Sequence, residues 1–202
     1  MTLKLSRRFY DRPDVVLISR DLLGKFLVTR LDDGQVTTGM IVETEAYRGS
    51  NDRASHAFNN RRTDRTEIMF RGPGTAYVYL CYGVHHLFNI VTNKSNIPHA
   101  VLIRAIQPVD GIRLMLRRRG MMQQEFRMTA GPGALTRALG ITVEQTGIDL
   151  LGGTIWLEDR KVRVKDSDVV AGPRVGVTYA GPDAQKPWRF RIKDNPWVSK
   201  AR

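Results

Sequence analysis

The sequence predicts an α+β fold: a single domain over residues 1–202, built on a curved, mainly antiparallel, open-barrel-like sheet surrounded by helices. Two observations carry this. Strand-like runs cluster in the middle and toward the end of the chain, joined by short turns. Helical patterns stand between those groups and do not alternate with single strands, which argues against a repeated βαβ unit. No internal repeat, low-complexity segment or linker divides the chain.

Taken in order, residues 7–11 with Pro13 behind them predict a short helical turn. Asp14 caps a helix over 14–23, whose apolar face is Val15, Val16, Ile18, Leu22 and Leu23 and which Gly24 stops. Residues 25–31 form a strand. Asp32-Asp33-Gly34-Gln35 is a hairpin turn into a long strand containing Met40-Ile-Val-Glu-Thr-Glu-Ala-Tyr47. The stretch 48–71 is polar and arginine-rich, with helical character near 52–58 and 64–70, and Gly72-Pro73-Gly74 breaks it. Strand character returns over 75–82, turns at Gly83-Val84 and resumes over 85–92. A further strand covers 100–106. Asp110 is placed to cap a helix ending at Arg119 and Gly120. Gly131-Pro132-Gly133 introduces another helix over 134–139, closed by Gly140. Short strands follow at 154–158 and 161–164, and another near 174–179. The tail is basic and aromatic: Lys186-Pro-Trp188-Arg-Phe190-Arg-Ile-Lys193, then Trp197.

Composition narrows the partners. Lys and Arg number 32 against 20 Asp and Glu, a net charge of +12. That excess suits a polyanion, nucleic acid first and an anionic membrane surface second. Cys81 is the one cysteine; inside an apolar run it is expected to be small and buried. It has no intramolecular disulfide partner, which points to a reducing, cytoplasmic setting. No stretch has the pattern of a signal peptide or the length of a membrane span.

The octet 40–47 carries the first chemical signal. Strand side chains alternate, so Glu43, Glu45 and Tyr47 share one side, with Val42, Thr44 and Ala46 on the other. Taken alone, the octet suits a half-exposed edge strand with its polar side in water. With His56 in the loop behind it, the same side also suits acid/base chemistry. Arg104, among Val101, Leu102, Ile103, Ala105 and Ile106, needs a carboxylate partner, and Glu43 or Glu45 is the obvious one. Tyr77, Tyr79 and Tyr82, with Asn89 beyond the turn, give a tyrosine-rich hairpin. Sheet packing is the usual reason for such a run. In a basic protein, aromatics at a hairpin tip can also stack on a base or wedge into a duplex. The four histidines show no zinc spacing, the Gly-Pro-Gly turns match no phosphate loop, and there is no serine elbow. Neither a metal nor a cofactor is expected.

Five separated motifs then converge. Ile41-Val-Glu-Thr-Glu-Ala-Tyr47, Pro73-Gly-Thr-Ala-Tyr-Val-Tyr79, Tyr82-Gly83, Arg174-Val-Gly-Val177 and Pro196-Trp-Val-Ser199 resemble the alkyladenine (3-methyladenine, methylpurine) DNA glycosylases. The resemblance runs in order over nearly the whole chain. It implies a monomeric, monofunctional enzyme of base excision repair. Such an enzyme flips an alkylated or deaminated purine (3-methyladenine, 7-methylguanine, hypoxanthine, ethenoadenine) out of double-stranded DNA and hydrolyses its N-glycosidic bond. By the resemblance, Glu45 is the general base that activates water, and Arg104 and the backbone carbonyl of Val175 hold that water. Tyr47, His56 and Tyr79 enclose the flipped base, Asn89 helps reject guanine, and Tyr82 fills the gap in the stack. The departures, His85-His86-Leu87-Phe88 and the loop 92–99, bear on lesion preference. No lysine lies between Lys25 and Lys94, so neither the glutamate strand nor the hairpin offers a Schiff-base amine for lyase chemistry. Arg61, Arg62, Lys186, Arg189 and Arg191 are the candidate phosphate contacts. The arginines at 117–119 are equally a phosphate patch or a solvated helix end.

The hairpin turn separates two registers. A two-residue loop at Gly83-Val84 pairs residue 81 with 86 and turns Tyr79 and Asn89 to opposite faces. A three-residue loop, 82–84, pairs 81 with 85 and 77 with 89, puts Tyr79 and Asn89 on one face and lifts Tyr82 to the apex. Gly83 suits the shorter loop on turn chemistry alone, but the functional reading requires the longer one.

Overall fold

A computed structural model describes residues 3–31 and 34–200, so Asp32 and Asp33 of the expected first hairpin turn lie outside the described residues. The chain begins with strand β1 (Leu3–Lys4) and helix α1 (Arg7–Tyr10). Helix α2 (Val15–Asp21) starts where its cap demands: Asp14 Oδ1 accepts from the Val16 and Leu17 N–H groups at 2.9 and 3.1 Å. Strands β2 (Phe26–Leu31) and β3 (Gln35–Tyr47) follow, then a stretch of short 3₁₀ turns, then β4 (Ala76–Cys81), β5 (His85–Thr92) and β6 (His99–Asp110). Helices α3 (Ile112–Arg119) and α4 (Pro132–Leu139) precede β7 (Ile155–Asp159), β8 (Val169–Gly172) and β9 (Arg189–Ile192).

Among the described residues these nine strands make one sheet in the order β1-β7-β2-β3-β6-β5-β4, with β9 between β3 and β8. Every pairing is antiparallel, and the sheet does not close into a barrel. β3 is the hub. One flank pairs with β6 along most of its length; the other pairs with β2 over Gln35–Met40 and then with β9 over Glu43–Glu45. The octet is therefore central, not at an edge, and Glu43 and Glu45 are fully buried. The cause is the tail: β9 takes the backbone positions that β2 leaves, a non-local pairing invisible in the octet itself.

Register then lines up the site. Tyr77 stands opposite Asn89, Asn89 opposite Leu102, Leu102 opposite Glu45, and Glu45 opposite Arg189. Directly opposed residues project from the same face, so one row of side chains crosses five strands. The reverse face carries the main core, with Val42, Ala46, Val101, Ile103, Phe88 and Ile18. There Thr44 Oγ1 donates to the Ser19 carbonyl at 2.8 Å, fixing α2 against β3.

Five expectations differ. Asp110 does not cap α3; it ends β6 and meets Arg160 at 3.1 Å, while Gly111, at φ 73°, opens the helix. Residues 161–164 form no strand: Val162 is exposed, and Val164 packs over Gly24. Residues 174–179 are a loop leading into 3₁₀ turns, because Arg174 points inward to an ion pair; the strand of this region is β8. Cys81 is half-buried rather than enclosed. The helical character expected near 52–58 and 64–70 is realised only as 3₁₀ turns.

One position of β3 has no room for a side chain. A Cβ on Gly39 would stand 2.9 Å from Ile106 Cβ and nearer still to its Cδ1. Gly39 opposes Pro108, which has no N–H to give the ladder, and the register shifts between Thr38 and Gly39. Gly39→Ala is expected to lower stability by about 1–3 kcal/mol through overpacking, read as a lower urea midpoint. An unchanged midpoint would mean that Ile106 repacks freely.

Candidate active site

The centre of the site is a buried charge network that joins Glu45 and Arg189 of the five-strand row to Glu43 and Arg104 beside it. Glu43 Oε1 accepts from Arg189 Nε at 2.6 Å, Arg104 Nε at 3.1 Å and Ser199 Oγ at 3.0 Å, and its Oε2 from the Ser199 N–H at 2.7 Å. Arg104 Nη1 lies 3.4 Å from Glu45 Oε1. Two carboxylates are thus matched by two guanidiniums, all four at most 8% exposed. Burial opposes the Arg104 charge, but Glu45 and Glu43 outweigh it and raise its pKa.

Glu45 is held at both oxygens. Oε1 accepts from the Val175 N–H at 2.8 Å, and Oε2 from Tyr47 Oη at 2.8 Å. Burial, then the Glu45 charge, push the Tyr47 phenol well above its ordinary pKa, so it stays a donor. Val175 reaches Glu45 because Arg174 is anchored beside it. The Arg174 guanidinium makes a bidentate pair with Asp52 and donates to the Ala46 carbonyl at 2.9 Å. It also lies 4.8 Å over the Tyr47 ring and 5.1 Å over Trp188. Asp52 in turn accepts from the N–H groups of Arg48 and Ala54, which shapes the loop carrying His56.

A cavity of about 590 Å³ opens over the row, walled by Tyr47, His56, Tyr77, Tyr79, Asn89 and Arg104. Glu45 itself is not on the wall; it sits one layer behind Tyr47, Arg104 and Val175, which are. His56 stands edge-on to Tyr79 with centroids 4.7 Å apart, and its Nδ1 is 2.8 Å from Tyr77 Oη. Burial first, then Arg65 and Arg61, lower the His56 pKa to about 4, so the ring is neutral at physiological pH. Asn89 Nδ2 donates to the Tyr77 and Leu87 carbonyls, both at 3.2 Å. With its donors committed to the backbone, the amide turns an acceptor oxygen to any ligand.

At the cavity mouth the hairpin takes the three-residue loop: Cys81 pairs with His85, and Tyr77 with Asn89. Tyr82 holds φ 51° at the apex with 89% of its surface exposed. A tyrosine in the left-handed region and in water is uncommon. Tyr179, which sequence reasoning missed, also stands at the mouth and donates to the Ala54 carbonyl at 3.2 Å.

The profile of the family described as Methylpurine-DNA glycosylase matches residues 8–196. The chain belongs to the methylpurine-DNA glycosylase family. A Bacillus cytotoxicus protein named "Putative 3-methyladenine DNA glycosylase" is 44% identical over 200 residues, 95% of this chain and 97% of its own length. An Alkaliphilus oremlandii protein of the same name is 44% identical over 98% of this chain and all of its own length. One from Bacillus mycoides is 43% identical over 95% of this chain and 97% of its own.

For a glycosylase of this family the surface cations matter, and here the structure corrects the sequence. Arg189 is buried and ion-paired to Glu43, so it is no phosphate contact. Arg62 is engaged by Glu67 and Asn96 and lies 3.8 Å over Phe70. Lys186 pairs with Asp183 at 2.7 Å. Arg61 is exposed, Arg191 half-buried. Two further arginines, Arg53 and Arg65, join Arg61 in a cleft of about 430 Å³ that shares His56 with the cavity. No pattern near 53–65 marked them, since arginines occur throughout that stretch. Of the triplet at 117–119, Arg119 donates to the Met128 and Arg127 carbonyls and serves the fold.

The network makes a stability test. Glu43→Ala leaves Arg104 and Arg189 without the carboxylate that offsets their burial. It is expected to cost about 3–5 kcal/mol of stability, measured by urea unfolding. A cost below about 1 kcal/mol would show that the network contributes no more than a surface pair.

Proposed function

We propose that this glycosylase is monofunctional: it flips an alkylated or deaminated purine out of duplex DNA and hydrolyses the N-glycosidic bond with an activated water. The observation that carries this is Glu45, a buried carboxylate directly behind an aromatic cavity, held by Tyr47, Val175 and Arg104. Glycosidic cleavage builds positive charge on the sugar, which a nearby carboxylate stabilises while accepting a proton from water. Arg104 and the backbone at Val175 keep that carboxylate, and the water beside it, in place.

The flipped base lies against Tyr47, His56 and Tyr79, with Asn89 discriminating against guanine. Arg174 backs the Tyr47 ring, which makes a rigid surface for stacking. Tyr82 fills the gap left in the stack. Arg53 and Arg61, with Arg191 beyond, contact phosphates. No lysine side chain lines the cavity among the described residues, consistent with hydrolysis without lyase chemistry. The protein acts as a cytoplasmic monomer on nucleoid DNA. Among the described residues no helix is long and apolar enough to cross a membrane.

Glu45→Gln keeps the shape of the side chain but not its basicity. Excision from a single-lesion duplex is expected to fall by at least roughly a hundredfold, with DNA binding retained in a gel-shift assay. An active Glu45→Gln enzyme would remove the general base from the mechanism. Tyr82→Ser tests the wedge: affinity for a duplex lesion is expected to drop by about tenfold or more. An unpaired, looped-out lesion should be affected less, because no gap in a stack has to be filled. Equal losses on both substrates would refute that role.

A further inference from the structure

The charges around the cavity do not cancel. Of the cationic arginines on its wall, Arg104 is matched within the Glu43–Glu45–Arg189 network. Arg65 is different. Its guanidinium lies 4.6 Å over the Tyr79 ring, and its Nη2 is 3.3 Å from His56 Nε2. No carboxylate pairs with it among the described residues. Arginine only donates, so His56 Nε2 accepts, and the His56 proton sits on Nδ1 facing Tyr77 Oη. Two rings that wall the cavity, His56 and Tyr79, therefore hold an unmatched positive charge at its edge.

That charge acts oppositely on the two chemical classes of damaged purine. When the glycosidic bond breaks, its electron pair passes to the purine. An uncharged damaged purine such as hypoxanthine departs carrying developing negative charge unless it is protonated. A ring-alkylated purine such as 7-methylguanine enters as a cation and departs neutral. Within the site as read above, on which this inference rests, the four rings that enclose the base are poor acids for the first class: His56 is neutral, with its pKa lowered to about 4, and burial raises the pKa values of Tyr47, Tyr77 and Tyr79.

We propose that Arg65 is a specificity-determining residue. It favours excision of uncharged purine lesions by stabilising the departing base, and disfavours binding of cationic ones by repulsion. Arg65 is solvent-exposed, so water and salt screen the effect to a moderate size.

The test uses single-turnover excision from duplexes carrying one hypoxanthine or one 7-methylguanine, with kmax and K1/2 measured separately. Relative to wild type, Arg65→Gln is expected to lower the hypoxanthine to 7-methylguanine ratio of kmax/K1/2 by about five- to tenfold. The loss should fall on kmax for hypoxanthine, while K1/2 tightens for 7-methylguanine. Arg65→Lys keeps the charge and should recover most of the ratio. A residue that merely gripped the DNA backbone would weaken K1/2 for both substrates alike and leave the ratio unchanged; that outcome overturns the proposal. A ratio kept in Arg65→Gln but lost in Arg65→Lys overturns it as well. The glycosylase reading stands or falls separately, on wild-type excision and on Glu45→Gln with the same duplexes.

Discussion

A carboxylate with no access to water governs this fold. Glu43 is fully buried, and an unpaired ion there would cost several kcal/mol. The chain meets that requirement from three distant places: Arg104 on β6, Arg189 on β9 and Ser199 near the end of the described chain. Each contact also places something else. Arg189 keeps β9 beside β3, Ser199 holds the segment whose Trp197 enters the core, and Arg104 is turned so that Nη1 faces Glu45. The balancing of one charge thus assembles the surroundings of the other. Glu43 ties these segments together, and Glu45 lies one pleat further along the same face, directly behind the cavity wall.

A second buried pair carries the loops. Arg174 and Asp52 have fully buried side chains, and their bidentate geometry suits a guanidinium facing a carboxylate. Asp52 organises the loop with His56, and Arg174 sets the turn that brings the Val175 N–H to Glu45. Loops that carry binding residues need a rigid scaffold, and here the scaffold is an ion pair rather than regular structure. The Arg174-Val-Gly-Val177 motif follows residue by residue. Arg174 pairs, Val175 donates, Gly176 turns at φ 73°, and Val177 packs with Ala54 and Ala180 beside Tyr47.

Local elements were legible because their causes are local. Asp14 announced α2 through its cap, Gly120 and Gly140 stop α3 and α4 in the left-handed conformation, and alternation in 40–47 put Glu43 and Glu45 on one face. At the hairpin tip, turn chemistry alone favours the shorter loop at Gly83-Val84, but the structure takes the three-residue loop 82–84, with Tyr82 and Gly83 both at positive φ. What could not be seen came from pairing across the chain. β9 converts an apparent edge into the centre of the sheet, and the same event buries Arg189, which its basic neighbourhood had suggested for DNA. Asp52 left no signal either. A lone acid in a polar loop looks solvated until its partner, Arg174, is placed against it.

The spacing of Glu45 and Tyr47 joins stacking to chemistry. Two residues along a strand advance about 7 Å with side chains parallel, so the longer tyrosine can lean back and let its hydroxyl meet the carboxylate, as it does at 2.8 Å. One face of the Tyr47 ring rests on Arg174, and the ring forms part of the cavity wall. A ligand stacked on Tyr47 therefore bears on a side chain already tied to Glu45, and cannot displace the ring without disturbing that bond. Glu45 is fully buried, one layer behind the cavity wall. Contact with a flat ring on Tyr47 and the position of the Glu45 carboxylate are in this way coupled through one hydrogen bond, which a glutamate on a separate loop would lack.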